Sequence, residues 1–225
     1  EPRVSDGARL KAGTIIAEVT GSARQILSIE RTLLNFLQRL CGIATATRAY
    51  VDAVADTRAK ICDTRKTVPG WRQLDKYAVR CGGGKNHRMG LHDAILVKDN
   101  HLVGLDAQHL RAAVLDMLKA AGQLSPPPKF VEFEVDTLEQ FNHIAGIPGI
   151  DIILLDNFSL EDMREAVDRR DRLGLLGKLQ LEASGGVSLE RVAEIASTGV
   201  ERIAIGAITH SVRALDIALD LKSEV

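Results

Sequence analysis

Hydrophobic positions change their period along this chain. Over residues 13–19, Gly13-Thr14-Ile15-Ile16-Ala17-Glu18-Val19, they alternate loosely and stop at Thr20-Gly21, which predicts a β-rich opening fragment over residues 1–25. From Ser28, a candidate N-cap, the spacing becomes helical: Ile29, Leu33, Leu37 and Leu40 fall on one face, and a second helical run follows over 45–55. Beyond that, short apolar runs alternate with amphipathic segments. The runs at 60–63, 94–98, 130–135, 151–156, 179–184 and 202–206 predict strands. Thr137-Leu138-Glu139-Gln140 has the spacing of a capping box, and Ser159 and Ser188 stand ahead of further helical runs. Strand and helix in strict alternation predict an α/β fold with a parallel sheet, open or closed into a β/α barrel. The expected division is a partial N-terminal α/β domain with its connecting helix over 1–45, and a catalytic barrel over 46–225. Ser125-Pro126-Pro127-Pro128 reads as a stiff surface connection.

Polar residues or glycine stand at the C-terminal ends of all six predicted strands: Asp63, Lys98, Glu134, Asp156, Ser184 and Gly206. In a β/α barrel those ends converge on one face, where the chemistry is done. Two of the turns suit phosphate. Ser184-Gly185-Gly186-Val187 lets backbone amides approach an anion ahead of a helix expected near Ser188, and Gly206-Ala207 follows the next strand with His210 in reach. Glu134 and Asp156 can hold sugar hydroxyls or a magnesium ion bridging a diphosphate. Glu132 shares a face with Glu134, and one of the two is expected to pair with a lysine.

Composition sharpens this reading. Lys and Arg number 29 against 30 Asp and Glu, so the cations Arg65, Lys66, His87, Arg88 and Lys98 are a local concentration in a balanced chain. They lie beside the loop-forming Gly82-Gly83-Gly84, and together they predict a pocket for a small, multiply anionic ligand. The balanced charge and scarce aromatics argue against nucleic acid, and no apolar run reaches membrane-spanning length. Three widely spaced cysteines form no CxxC pair, which fits a reducing cytoplasm, with Cys62 and Cys81 as packed thiols. Trp71 is expected to be a packing anchor. The first residue is Glu1, and the opening reads as the middle of a longer sequence.

Taken in order, Glu30 to Phe36, Gly42 to Thr45, Asp63-Thr64-Arg65-Lys66-Thr67, Gly82 through Arg88, Leu96 to His101, Glu134-Val135-Asp136, Leu155-Asp156-Asn157, Glu182 to Gly186 and Ile205-Gly206 resemble the quinolinate phosphoribosyltransferase family nearly end to end. The resemblance implies an N-terminal α/β domain beside an open α/β barrel. It implies a reaction that joins quinolinate to phosphoribosyl pyrophosphate with magnesium, yielding nicotinate mononucleotide, pyrophosphate and carbon dioxide in NAD biosynthesis. A homodimer, or a larger assembly built from it, is implied as well, with Arg31 completing the partner's site. By motif position, Arg65, His87 and Arg88 would bind the quinolinate carboxylates, with Lys66 and Lys98 in the same cavity. Glu134 and Asp156 would hold ribose hydroxyls and magnesium, and with Lys66 and Lys98 they form the expected catalytic set. Ser184, Gly185, Gly186, Gly206 and His210 would take the phosphate. Cys41 departs from the small hydroxyl residue usual there, and the opening of the family's N-terminal domain has no counterpart. Three rivals stand beside this reading: an aldolase-like enzyme with Lys98 as a Schiff-base lysine, a relative acting on nicotinate or another pyridine or pyrimidine acid, and a non-catalytic anion- or RNA-binding module. The surplus of arginines favours two carboxylates over one.

Overall fold

The computed structural model describes residues 1–102, 104–105 and 107–222. A long helix α1 (Ala23–Ala53) leads into β1 (Lys60–Cys62), α2 (Arg72–Cys81), β2 (Ile95–Val97), α3 (Asp99–Leu102) and α4 (Ala107–Ala121). Then come β3 (Val131–Val135), α5 (Leu138–Ile144), β4 (Ile152–Asp156), α6 (Leu160–Arg172), β5 (Gln180–Ser184), α7 (Val192–Ser197), β6 (Arg202–Ala204) and α8 (Ala207–His210). All six strands lie where the sequence places them, and every pairing is parallel. Their order is β1-β6-β5-β4-β3-β2, a ring order with one unpaired seam between β1 and β2.

The sheet is curled. Phe130, just before β3, packs under the Arg202 guanidinium of β6, 5.8 Å from its ring centre. In a flat sheet those strands, three spacings apart, would be separated by about 14 Å. Alternation sorts the side chains onto two faces. Phe133, Val135, Ile153, Leu155, Leu181, Ala183 and Ile203 point outward into the apolar core beneath the helices. Lys98, Glu132, Glu134, Asp156, Glu182, Ser184, Arg202 and Gly206 belong to the concave face.

The N-terminal region departs from expectation. Residues 13–19 form no strand; a single antiparallel bridge, Pro2 to Ala17, is their only ladder contact among the described residues. The two helical runs are one helix of 31 residues that passes through the expected division at 45/46. It begins at Ser22 rather than Ser28, whose hydroxyl instead donates to the Arg24 carbonyl inside the helix (2.7 Å). Ile29 and Leu33 are exposed (57% and 39%), while Leu34 and Ile43 supply the buried side. At Gly42 the chain's C-terminal stretch crosses α1 so closely that a Cβ would lie 2.3 Å from the Arg213 carbonyl oxygen. The caps at Thr137 and Ser159 are as predicted, accepting from the Gln140 and Asp162 amides. Ser188 is not a cap: α7 starts at Val192, so no helix N-terminus directly follows Ser184-Gly185-Gly186.

Candidate active site

The first cationic loop leaves β1 at Cys62, and the second runs from Lys85 alongside it. Lys85 donates its amide to the Ile61 carbonyl (2.8 Å) and accepts from the Asp63 amide (3.1 Å), so this segment borders β1 on the seam side. Asp63 was expected at the mouth, but alternation turns it to the outer face, where it is fully buried. There it pairs with Lys76 of α2 and accepts from the Asn86 side chain (2.6 Å) and the His87 amide (2.8 Å). Lys76 also donates to the His87 carbonyl (3.1 Å). Burial pushes the Asp63 carboxyl above its ordinary value, and the Lys76 charge opposes that. Asp63 is thus a buried tie that fixes the backbone before Arg88.

His87, expected to bind a quinolinate carboxylate, is buried. Its ring turns into the floor of the curled sheet, with Nε2 2.9 Å from Glu132 and 3.3 Å from Glu182. Arg202 pairs with Glu182, and Phe130 meets the His87 ring edge-on at 5.3 Å. In the neutral Nε2–H tautomer Nδ1 accepts the Arg88 amide (2.8 Å), and a second proton, on Nδ1, displaces that amide. Burial disfavours a second proton on the ring, but the two carboxylates outweigh it and push His87 up to about 9. Burial and the Glu182 charge raise Glu132 to about 7. His87, Glu132 and Glu182 could bring three ligand atoms within 4.8 Å of one another. A metal ion there would meet the Arg202 guanidinium, and the positive charge that balances these carboxylates is already present in Arg202 and the imidazole. The trio is better read as a sealed ion network.

The mouth is different. Arg65 and Lys66 are exposed, and among the described residues no carboxylate forms an ion pair with either, or with the buried Arg88. Burial and the Arg65 charge depress Arg88, which places the two guanidinium groups near each other. Lys66 converges with Gly206 and His210. A Cβ on Gly206 would lie 3.0 Å from the His210 ring and 3.2 Å from Lys66 Cδ, and Thr209 Oγ1 donates to the Lys66 carbonyl (2.7 Å). Lys98 pairs with Glu134, the lysine contact expected for one of the two inward glutamates. This engaged ammonium is not the free amine in an apolar pocket that Schiff-base chemistry needs. Asp156 accepts from Asn157 (2.7 Å), a left-handed residue at φ 54°. Asn157 lies against Gly185, at φ 95°, where a Cβ would sit 2.1 Å from its side-chain oxygen.

Lys66, Lys98, Glu134, Asp156, Ser184, Gly185, Gly206 and His210 therefore belong to one end of the curled sheet, with Arg65 and Arg88 at the seam. Gly186, at φ 54° with open space around it, continues the β5 turn. Arg31 stands apart: it is exposed on α1, where its ion-pair contact is Glu30 (4.0 Å). Three contributors were missed. Asp136 is raised by burial and by the charges of Asp99 and Asp156, which marks an acidic concentration around Lys98 and Glu134. Arg202 completes the floor, signalled only by its inward parity. Arg72, an ordinary-looking helix residue, bridges the two cationic loops. Trp71 is the expected packing anchor, stacked on Phe36 at 4.4 Å, and burial pushes the Cys62 thiol up, out of nucleophilic range.

This arrangement has close counterparts. The profile of the quinolinate phosphoribosyl transferase N-terminal domain matches residues 1–41, and that of the C-terminal domain residues 43–220. The nicotinate-nucleotide pyrophosphorylase [carboxylating] of Mycobacterium leprae is 50% identical over 219 residues, covering 97% of this chain and 74% of the relative. The probable enzyme of the same name from Bacillus subtilis is 43% identical, covering 96% of this chain and 71% of its own. The solved nicotinate-nucleotide pyrophosphorylase of Francisella tularensis superposes with a TM-score of 0.84 at 42% identity, over 96% of this chain and 72% of that one. The chain belongs to the quinolinate phosphoribosyl transferase family.

Proposed function

We propose that this protein transfers the phosphoribosyl group of phosphoribosyl pyrophosphate to quinolinate with loss of carbon dioxide, giving nicotinate mononucleotide and pyrophosphate for NAD biosynthesis. The observation that carries this reading is the group of cations Arg65, Lys66 and Arg88, which form no ion pair among the described residues, with Lys66 against Gly206 after β6. Guanidinium groups grip planar carboxylates bidentately, and quinolinate brings two of them. Its pyridine nitrogen is already nucleophilic at neutral pH. It bonds to the anomeric carbon as the bond from that carbon to the diphosphate oxygen breaks. Later the bond to the carboxylate next to nitrogen breaks, its electron pair stays on the ring carbon, and a proton takes the carboxylate's place. No general base is required, so the residues' work is positioning and charge stabilisation. Arg65 and Arg88 orient the diacid, and Lys66 and Lys98 face the negative charge that develops on ring and leaving group. Ser184, Gly185, Gly186, Gly206 and His210 cradle the ribose phosphate.

Glu134 and Asp156 would hold the ribose hydroxyls and magnesium; what the ion supplies is neutralisation of the departing diphosphate. The donor set suits such an ion: Glu134, Asp156 and Asp136 offer hard carboxylate oxygens, and Asp136 is raised by burial first and then by the charges of Asp99 and Asp156. Arg31, exposed on α1, suits a homodimer in which it reaches the partner's mouth. A cytoplasmic location is inferred from the chemistry of its three thiols, and no helix among the described residues is long and apolar enough to cross a membrane. The test is turnover of carboxyl-labelled quinolinate with phosphoribosyl pyrophosphate and magnesium. Labelled carbon dioxide and pyrophosphate are expected in equal amounts, with no product from nicotinate. Absence of quinolinate binding in titration calorimetry, or equal turnover of nicotinate, overturns the reading.

A further inference from the structure

One side chain touches both loops that bear the cations. Arg72, the first residue of α2, donates from Nε to Thr67 Oγ1 (3.1 Å), from Nη1 to the Met89 carbonyl (3.1 Å) and from Nη2 to the Arg65 carbonyl (3.3 Å). Met89 directly follows Arg88, so a single planar fork joins the backbone that presents Arg65 to the backbone that presents Arg88. Its own root is fixed, since Trp71 stacks on Phe36 of α1 and the Asp75 amide bonds the Trp71 carbonyl (2.9 Å). Among the described residues no carboxylate pairs with Arg72; its acceptors are two backbone carbonyls and a hydroxyl. A salt bridge would neutralise the charge but would not span two loops. The fork does span them, because its donors diverge at fixed angles that lysine cannot copy.

We infer that Arg72 is a positioning residue that sets the distance between Arg65 and Arg88 and so matches the pocket to a diacid whose two carboxylates are held at a fixed separation by an aromatic ring. The charges of the pocket call for such a clamp. Burial first and then the nearby charge of Arg65 depress Arg88, so the two guanidinium groups repel each other. A tie that depends on backbone acceptors holds them together whether or not a ligand neutralises the charges. The inference rests on the function proposed above and names what enforces its selectivity.

The experiment compares the wild-type protein with Arg72→Met, Arg72→Lys and Thr67→Val. Arg58→Met serves as a control: Arg58 makes a similar two-pronged contact to the Gly199 carbonyl (3.0 and 2.6 Å) at the opposite end of the strands. For Arg72→Met, KM for quinolinate is expected to rise about tenfold or more, with KM for phosphoribosyl pyrophosphate changed by less than about twofold. Arg72→Lys should behave like Arg72→Met, because charge without the fork cannot reach both loops. Arg58→Met should lower thermal stability and leave both KM values in place. If Arg72→Met does not fold, Thr67→Val removes a single acceptor and should still raise KM for quinolinate by about threefold. Parallel rises in both KM values, full recovery in Arg72→Lys, or an unchanged KM in Thr67→Val each overturn the inference. A wild-type protein that does not turn over quinolinate sinks the functional reading itself, which is a distinguishable result.

Discussion

At the floor of the curled sheet, His87, Glu132, Glu182 and Arg202 meet one another and little else. At the mouth, Arg65 and Lys66 face solvent with no acidic partner among the described residues, and Arg88 sits beside them, buried and likewise unpaired. The same residue types are put to opposite uses. Buried charges of opposite sign draw strands β3, β5 and β6 together, although both Glu132 oxygens, Glu182 Oε1 and Arg202 Nη2 lack a hydrogen-bond partner among the described residues, and removing one member leaves the rest uncompensated in a low dielectric. Unpaired charges at an open mouth contribute little to folding, and their field is available to a ligand. Shape and affinity are thus assigned to different layers of one concave surface.

Three substitutions can break that comparison. The largest effect is expected from Arg65→Ala: kcat/KM for quinolinate should fall about a hundredfold or more, while the melting temperature moves by less than about 2 °C. A large loss of stability would show that Arg65 belongs with the structural layer. Arg202→Met should do the reverse. Leaving Glu182 and Glu132 to face His87 alone should lower unfolding stability by about 3–5 kcal/mol in urea titration, with KM for quinolinate in the surviving folded fraction within about threefold of the parent. An unaltered urea midpoint would mean the floor network does not stabilise the curl. The smallest effect concerns pH. His87 binds its proton more tightly folded, at about 9, than in the unfolded chain, at about 6.5. Its stabilisation is therefore complete below about 6.5 and is lost as pH rises through about 9. Glu132, raised to about 7 from 4.5, acts with the same sign at lower pH. The melting temperature of the parent should decline by several degrees over this alkaline interval, since the span from 6.5 to about 9 corresponds to roughly 3 kcal/mol at full titration. His87→Gln should lack that decline, and identical slopes in the two proteins would remove His87 from the account.

The strands were legible in the sequence because each apolar run is short, bounded by polar ends and separated from the next by a helical period. The shared face of Glu132 and Glu134 was legible too, since parity in a strand needs no tertiary information. Asp63 was misplaced for the same reason in reverse: parity measured from β1 sends it outward, and only the register with β6 shows which parity is inward. The unbroken helix across residue 45 was hidden because its apolar stripe changes partners midway, exposed at Ile29 and buried at Ile43. The missing strand at residues 13–19 and the late start of α7 follow one principle: a propensity or a cap residue becomes an element only where a neighbour pairs with it. His87 and Arg72 were beyond reach altogether. Nothing in a linear pattern says that one cation of a cluster turns inward while another, nine residues before the cysteine that precedes the glycine triplet, joins two loops through backbone atoms.

The seam between β1 and β2 has a consequence for how this protein can vary. A closed ring of staves would wall off its interior, and every inward side chain would have to come from a strand. Here a non-strand segment enters sideways and supplies the floor with His87 and the mouth with Arg88 from adjacent positions. Adding or deleting one residue between Gly84 and Asp93 would shift both layers at once, so this stretch, although a loop by conformation, is as intolerant of a length change as the staves beside it.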